Sequence, residues 1–96
     1  MVILTNLYQI LSGVTPLSIN GHIQVPITGV TESHRNVEPG AVFVAVKGST
    51  TDGHSFIPNA IARGAVAIIC QNLPERLPKG ITFVMVCHTE IVGDGM

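Results

Sequence analysis

Two polar segments of this 96-residue chain hold the side chains that can do chemistry. The first is Thr31-Glu32-Ser33-His34-Arg35, and the second is Gly48-Ser49-Thr50-Thr51-Asp52-Gly53. Hydroxyls and free loop amides suit hydrogen bonding to an uncharged heterocycle or a sugar, and Arg35 can pair with a phosphate. Composition alone leaves two readings of Ser49–Thr51 open, a polar small-molecule site or a solvated turn. Arg35 likewise has two roles open to it, pairing with an anion or orienting its own loop. Other chemistries lack their residues. No GxxxxGK[ST] or GxGxxG occurs, so no glycine-rich loop cradles a nucleotide triphosphate or a dinucleotide. The histidines His22, His34, His54 and His88 are scattered, and no cysteine pair has zinc spacing, so no metal site is expected. His22 and His88 read as surface residues. His54, beside Gly53 at a helix start, reads as a residue that caps or packs. Asp52 reads as a turn-former or helix cap, and no carboxylate pair is placed for acid–base work.

The elements that must carry these segments are short. Ten glycines and six prolines break the chain often, while 46% of it is hydrophobic, mostly aliphatic, with three Phe, one Tyr and no Trp. That is enough for one modest core. Only 11% of residues are charged and the net charge is -1. Such a balance excludes a disordered charged segment and gives no basic face for nucleic acid. No apolar run exceeds that of Ala65–Cys70, far short of the roughly 20 residues that span a bilayer, and no signal peptide is evident. The expectation is a cytoplasmic domain with no membrane or nucleic-acid partner. Cys70 and Cys87 are both expected inside strands, as buried free thiols.

Leu4, Leu7, Tyr8 and Leu11 recur at helical spacing, with Thr5 or Asn6 near the helix start and Gly13 past its end. Ile19, Ile23, Val25 and Ile27, interrupted by Asn20-Gly21 and Pro26, predict a hairpin or two short strands. Glu38-Pro39-Gly40 is a turn with glycine where φ is positive. Val42–Val46, Ala65–Cys70 and Thr82–Val86 are β-rich apolar runs, the mark of strands covered on both faces. Between the first two, Ile57, Ala60 and Ile61 predict a helix over 56–63, with Pro58 in its first turn, Ser55 or Asp52 as its cap and Gly64 as its stop. Strand, helix and strand make a βαβ unit, by rule right-handed and parallel. Residues 73–80 are a Pro-rich loop, and 91–96 look frayed. The fold class is α/β: a small two- or three-layer domain, 1–96, with a short mainly parallel sheet and flanking helices. Both polar segments flank Val42–Val46, and loops leaving the C-terminal ends of parallel strands are the usual ligand position in such sheets.

The stretch from Ile27 to Ile69 resembles the N-terminal domain of the Mur ligases of peptidoglycan synthesis. That family's pattern is close to T-x-D-S-R-x-V-x-P-G-x-x-F-x-A-x-x-G, then D-G-x-x-F-x-x-x-A-x-x-x-G-A. Here Thr31, Arg35, Val37, Pro39, Gly40, Phe43, Ala45, Gly48, Asp52, Gly53, Phe56, Ala60, Gly64 and Ala65 match. The Asp-Gly-His-x-Phe-Ile-Pro and Ala-Ile-Ala-Arg-Gly-Ala segments are more similar to the MurE type, which adds the third stem-peptide residue, than to the MurF type. The resemblance implies a domain that binds the UDP end of UDP-N-acetylmuramoyl-L-Ala-D-Glu and has no catalytic residue or cofactor of its own. It implies that a central domain, with ATP, Mg²⁺ and a carbamylated lysine, and a C-terminal domain complete the ligase and are absent from this chain. By position it places substrate contacts at Glu32, His34, Arg35, Ser49, Thr50 and Thr51. The family's Asp-Ser-Arg is Ser33-His34-Arg35 here, so an imidazole stands where the family has a hydroxyl. Two alternatives are a MurF-type domain and a diverged stand-alone module without ligase activity.

Overall fold

Strand β5, Ala41–Val44, is buried at every residue, and so are β6, Ala67–Cys70, and all but the last residue of β7, Thr82–Met85. Successive strand side chains point to opposite faces, so an unbroken apolar run needs cover on both sides. The computed structural model, which describes residues 5–7, 11, 16–47 and 52–87, shows that cover. On one face Val42, Val44, Ile69 and Val84 pack with Leu7, Leu11 and Ile27. On the other, Phe43, Ala45, Ile68 and Phe83 pack with Ile57 and Ala60 of helix α1, Ile57–Ala62. The result is three layers, resolving the choice between two and three.

The remaining strands are β1, Thr5–Asn6; β2, Ser18–Asn20; β3, Pro26–Ile27; and β4, Gly29–Thr31. Two 3-10 turns, His34–Asn36 and Gly53–Phe56, complete the described elements. The main sheet has five strands in the order β2-β7-β6-β5-β4. β4, β5, β6 and β7 run parallel, and β2 lies antiparallel on the edge of β7. β1 and β3 form a separate antiparallel pair. The β5–α1–β6 unit is the predicted parallel crossover. The return from β6 to β7 has no helix among its residues; Leu73 and Ile81 show that it crosses the α1 face.

At the edge where β5 and β6 begin, glycines set the geometry. The turn over Glu38–Ala41 closes with Ala41 N donating to Glu38 O at 3.0 Å, and Gly40 has φ +88° as its position predicts. Helix α1 is stopped by Gly64, φ +105°, two residues past its end, with Ala65 N donating to Ala60 O (3.1 Å) and Gly64 N to Ile61 O (3.0 Å). This paired bonding is the Schellman stop that a glycine after a helix provides.

Of the two alternatives around Asn20-Gly21, the structure takes two short strands and not a hairpin, and two other expectations change. β2 pairs with β7, while Pro26–Ile27 pairs with Thr5–Asn6. Gly21 has φ +119° and turns the chain so tightly past Thr82 that a Cβ would lie 2.9 Å from its Oγ1. That hydroxyl donates to the His22 carbonyl at 2.7 Å, so the segment after Gly21 is tied to the start of β7 and not to β2. Cys70 lies buried in β6, but Cys87 is exposed and falls beyond β7. Val86 is the last buried residue there, its N donating to Cys70 O at 2.8 Å. Finally, Thr5–Asn6 are strand. The expected N-terminal helix is represented by buried Leu7 and Leu11, joined by Leu11 N to Leu7 O at 3.3 Å. Leu4, Tyr8, Gly13, His88 and residues 91–96 lie outside the described residues.

Candidate functional site

Because β4 and β5 are parallel neighbours, the chain leaves both at the same edge of the sheet. The segment after β4 is shaped by Thr31, whose Oγ1 accepts from Ser33 N at 3.1 Å. That bond directs the chain into the 3-10 turn at His34–Asn36. There His34 lies flat on Phe56, with ring centroids 4.0 Å apart and planes 7° from parallel. Arg63, just past α1, donates from Nη2 to the Arg35 carbonyl at 2.9 Å. The turn after β4 is therefore brought against the 3-10 turn that follows Asp52, and the Phe56–His34 stack joins these two turns.

Of the expected substrate contacts, Glu32 and Arg35 are exposed and His34 is half-buried. Arg35 holds its turn through its carbonyl, and its side chain stands at the surface. Ser49, Thr50 and Thr51, with Gly48, lie outside the described residues. Their flanks are described: Lys47 and Asp52 pair as an antiparallel bridge, so the chain that leaves at Lys47 returns directly opposite it. Gly53 continues this closure, its N donating to Val46 O at 2.8 Å. The reason for glycine here is proximity, not φ. A Cβ at Gly53 would lie 2.7 Å from Val46 N and 2.9 Å from Val46 O.

Neither Ser55 nor Asp52 caps α1, whose N-cap is Phe56 without a side-chain bond; Asp52 instead caps the 3-10 turn Gly53–Phe56 that leads into it. Asp52 Oδ1 accepts from His54 N at 3.0 Å and pairs with His54 Nδ1 at 2.7 Å, while Ser55 Oγ donates to Asp52 O at 2.8 Å. The His54 amide first, and its imidazole second, hold the Asp52 carboxyl below the usual carboxylate range. His54 Nε2 in turn accepts from Gln71 N at 3.0 Å and from Asn72 N at 3.3 Å. Sequence reasoning missed two of these features. Phe56 was a match to a pattern with no assigned task. The Gln71 contact joins residues 17 apart and carries no periodic signal. Beside His54 an apolar cavity of about 460 Å³ opens between α1 and the Pro-rich connection, lined by Ile57, Ile61, Pro74, Arg76 and Pro78 among others. Among the described residues no three His, Cys, Asp or Glu side chains gather in a way that holds a metal ion.

Comparison with known proteins bears on this arrangement. The model of the Mur ligase family, catalytic domain, matches residues 26–94. A UDP-N-acetylmuramoyl-L-alanyl-D-glutamate–2,6-diaminopimelate ligase of Bacteroides fragilis is 43% identical over 84 residues, which is 88% of this chain and 17% of that protein. The chain thus spans less than a fifth of the length of this relative. Among solved structures, a UDP-N-acetylmuramoylalanyl-D-glutamyl-2,6-diaminopimelate–D-alanyl-D-alanyl ligase of Acinetobacter baumannii superposes with TM-score 0.79 at 21% identity, over 99% of this chain and 21% of that one, and shares its fold. The MurF ligase of Thermotoga maritima, solved with ADP, aligns with TM-score 0.56 at 35% identity over 62% of this chain and 13% of its own. On the matched model and the likeness running through most of its length, this chain belongs to the Mur ligase family, and its sequence likeness is to the MurE type that its motifs predicted.

Proposed function

We propose that this domain binds the UDP portion of UDP-N-acetylmuramoyl-L-Ala-D-Glu, as the substrate-recognition part of a larger ATP-dependent ligase of peptidoglycan synthesis. The observation that supports the reading is that the turn at His34–Asn36 stacks, through His34 on Phe56, against the turn that follows Asp52, next to where the chain leaves at Lys47 and returns at Asp52. A ligand lying there touches residues 32–35 on one side and the chain between Lys47 and Asp52 on the other. The hydroxyls of Ser49, Thr50 and Thr51 and the amides around them offer donors and acceptors to the edge of a pyrimidine without placing a charge against it. Arg35, exposed at the rim, is available to the diphosphate. Glu32 is exposed as well, and in this reading its carboxylate turns to solvent, away from the anionic ligand.

The substrate named for the Bacteroides fragilis relative supports this assignment. In the proposed whole enzyme, ATP phosphorylates the substrate carboxylate to an acyl phosphate with release of ADP, and an amine displaces phosphate to form the amide. In this reading that chemistry, with Mg²⁺, belongs to the central and C-terminal domains of the ligase. The domain's share is to hold the nucleotide end so that the peptide end reaches them. A cytoplasmic setting is part of the proposal; no helix among the described residues is long and apolar enough to cross a membrane.

The test is a titration of the isotope-labelled chain with UDP-N-acetylmuramoyl-L-Ala-D-Glu, followed by amide chemical shifts. Residues 31–35 and 47–54 are expected to move together, and residues 38–41 and 64–66 at the opposite edge to stay still. Alanine at Ser49, Thr50 or Thr51 is expected to weaken binding by about fivefold where one neutral hydrogen bond is lost. Silence of both segments at millimolar ligand refutes the assignment.

A further inference from the structure

We propose that Arg63 is a positioning residue for the turn at His34–Asn36, bracing from the glycine-built sheet edge the residues that are expected to touch the nucleotide. The inference rests on the proposed nucleotide site for its functional consequence, but the brace itself stands on geometry. Arg63 follows α1 directly, and its own backbone is firmly placed. Its N donates to Asn59 O and Ala60 O, both at 3.1 Å, and the next residue, Gly64, accepts from Gly40 N at 2.9 Å. From this base the side chain reaches a residue 28 positions earlier, where Nη2 donates to Arg35 O at 2.9 Å. Among the described residues the one ion pair is that of His54 with Asp52, so no carboxylate draws the Arg63 guanidinium elsewhere. A charged N–H on a carbonyl is stronger than a neutral one, and the planar fork holds its direction.

The turn needs a brace because its own bonds are few. It is three residues long, and its N-cap, Ser33, makes no side-chain capping bond. Asn36 N donates to Ser33 O at 3.0 Å, but Val37 N to His34 O is stretched to 3.4 Å, past the usual range for such a bond. Among the described residues no backbone amide donates to Arg35 O. Two side-chain contacts therefore fasten the turn at opposite ends of α1, a helix about 9 Å long. At its start His34 lies on Phe56, and past its end Arg63 holds the Arg35 carbonyl. Val37, buried in one cluster with Ile57 and Ala60, fixes the chain that leaves the turn. With the stack alone the turn pivots about His34. With both contacts the direction in which it presents Glu32, His34 and Arg35 is set. Arg63 acts through the backbone of Arg35 and touches no ligand itself.

The experiment measures affinity for UDP-N-acetylmuramoyl-L-Ala-D-Glu in wild type, Arg63→Met, Arg63→Lys and Arg76→Met, with the amides of residues 33–37 followed before ligand is added. Arg63→Met keeps an apolar stem and loses every donor. It is expected to displace the 33–37 amides and to weaken binding roughly threefold to fivefold, the size of one hydrogen bond. Its urea midpoint is expected to stay at the wild-type value, since Arg63 is exposed. Arg63→Lys keeps a charged donor and is expected to bring amides and affinity together back towards wild type. Arg76, an exposed arginine beside α1 with no bond to the turn, controls for the loss of a cation. Arg76→Met is expected to bind within about 1.5-fold of wild type, because a distant exposed charge is screened. Unchanged affinity in Arg63→Met, an equal loss in Arg76→Met, or an Arg63→Lys that regains affinity with its amides still displaced overturns the proposal. So does a fall in the urea midpoint of Arg63→Met large enough to account for the weaker binding. If wild type does not bind the nucleotide sugar, the binding assignment fails on its own. The brace is then judged from the ligand-free amides, which are expected to shift in Arg63→Met and to return in Arg63→Lys; amides that stay unmoved in Arg63→Met overturn it.

Discussion

The two ends of the parallel strands are held by different means. Where β5 and β6 begin, backbone meets backbone: Gly40 N donates to Gly64 O at 2.9 Å, Thr28 N to Gly40 O at 2.9 Å, and Val66 N to Ala41 O at 2.9 Å. Two positive-φ glycines, Gly40 and Gly64, make that closeness possible. Where β4, β5 and β6 end, side chains add to the backbone closure at Lys47–Asp52 and Gly53: His34 on Phe56, Asp52 to His54, and His54 to Gln71. Backbone contacts are indifferent to pH and to most substitutions, but intolerant of a Cβ. Side-chain contacts titrate and can be replaced one at a time. The first edge is built to stay fixed, and the second can be tuned, which is where a ligand site is expected.

The contrast breaks most sharply at Gly64. Its φ of +105° disfavours any L side chain, and a Cβ would lie 2.7 Å from Pro39 Cα, which is backbone and cannot swing aside. Gly64→Ala is expected to cost about 3 kcal/mol or more in urea unfolding, and to lower yield accordingly. Gly53, at the other edge, has ordinary φ but equal crowding against Val46 N. Gly53→Ala is expected to cost about 2 kcal/mol, from overpacking alone. An equal loss at both positions shows that close approach alone sets the cost and that the positive φ of Gly64 adds nothing to it.

His34→Ser restores the residue type of the family motif and tests the side-chain edge. It removes the stack on Phe56 and is expected to cost about 1 kcal/mol of stability, with amide shifts spreading from residue 34 into 52–56. A change confined to residues 33–35 shows that the stack does not couple the two segments.

What could be read from the sequence divides along the same line. The apolar runs announced β5, β6 and β7 because a strand covered on both faces has no polar alternation to hide it. Pro39-Gly40 and Gly64 announced a turn and a helix stop because only special φ values call for them there. Asp52 was legible as a capping residue, but the 3-10 turn that it caps, ahead of α1, carries no periodic signal of its own. The pairing of β2 with β7 was invisible, since Ser18–Asn20 and Thr82–Met85 are far apart in the chain and a short strand has no mark of its partner. The roles of Phe56 and Gln71 were invisible for the same reason. Cys87 was misread because the apolar run continues to Val86, and nothing in the residue type says that cover ends there.

Acid probes the side-chain edge more gently. Asp52 has its carboxyl held below the ordinary value of 3.8 by the His54 amide and ring. A depressed acid stabilises the fold at pH above its unfolded value, and that contribution disappears as pH falls through the folded one. Wild type is therefore expected to lose stability below about pH 4 more steeply than Asp52→Asn, in urea midpoints taken between about pH 5 and 3. Because the group is exposed, the difference is expected to be small and to shrink with salt.

The two thiols give the finest test, since Cys70 closes β6 under full cover and Cys87 lies just past β7, exposed. Cys70 is fully buried at the end of β6, and burial pushes its thiol up from 9.0 to about 11. At neutral pH it stays protonated and adds nothing to the pH dependence of stability. As pH rises past 9.0 the unfolded chain ionises first, so stability falls towards the folded value. Cys87 is exposed. A disulfide reagent at neutral pH is expected to modify Cys87 in a fast phase and Cys70 only as fast as the sheet opens. Cys87→Ser should abolish the fast phase and leave stability within about 0.5 kcal/mol of wild type. Two fast thiols in the folded chain contradict the packing at the end of β6, from which Gln71, the very next residue, donates to His54.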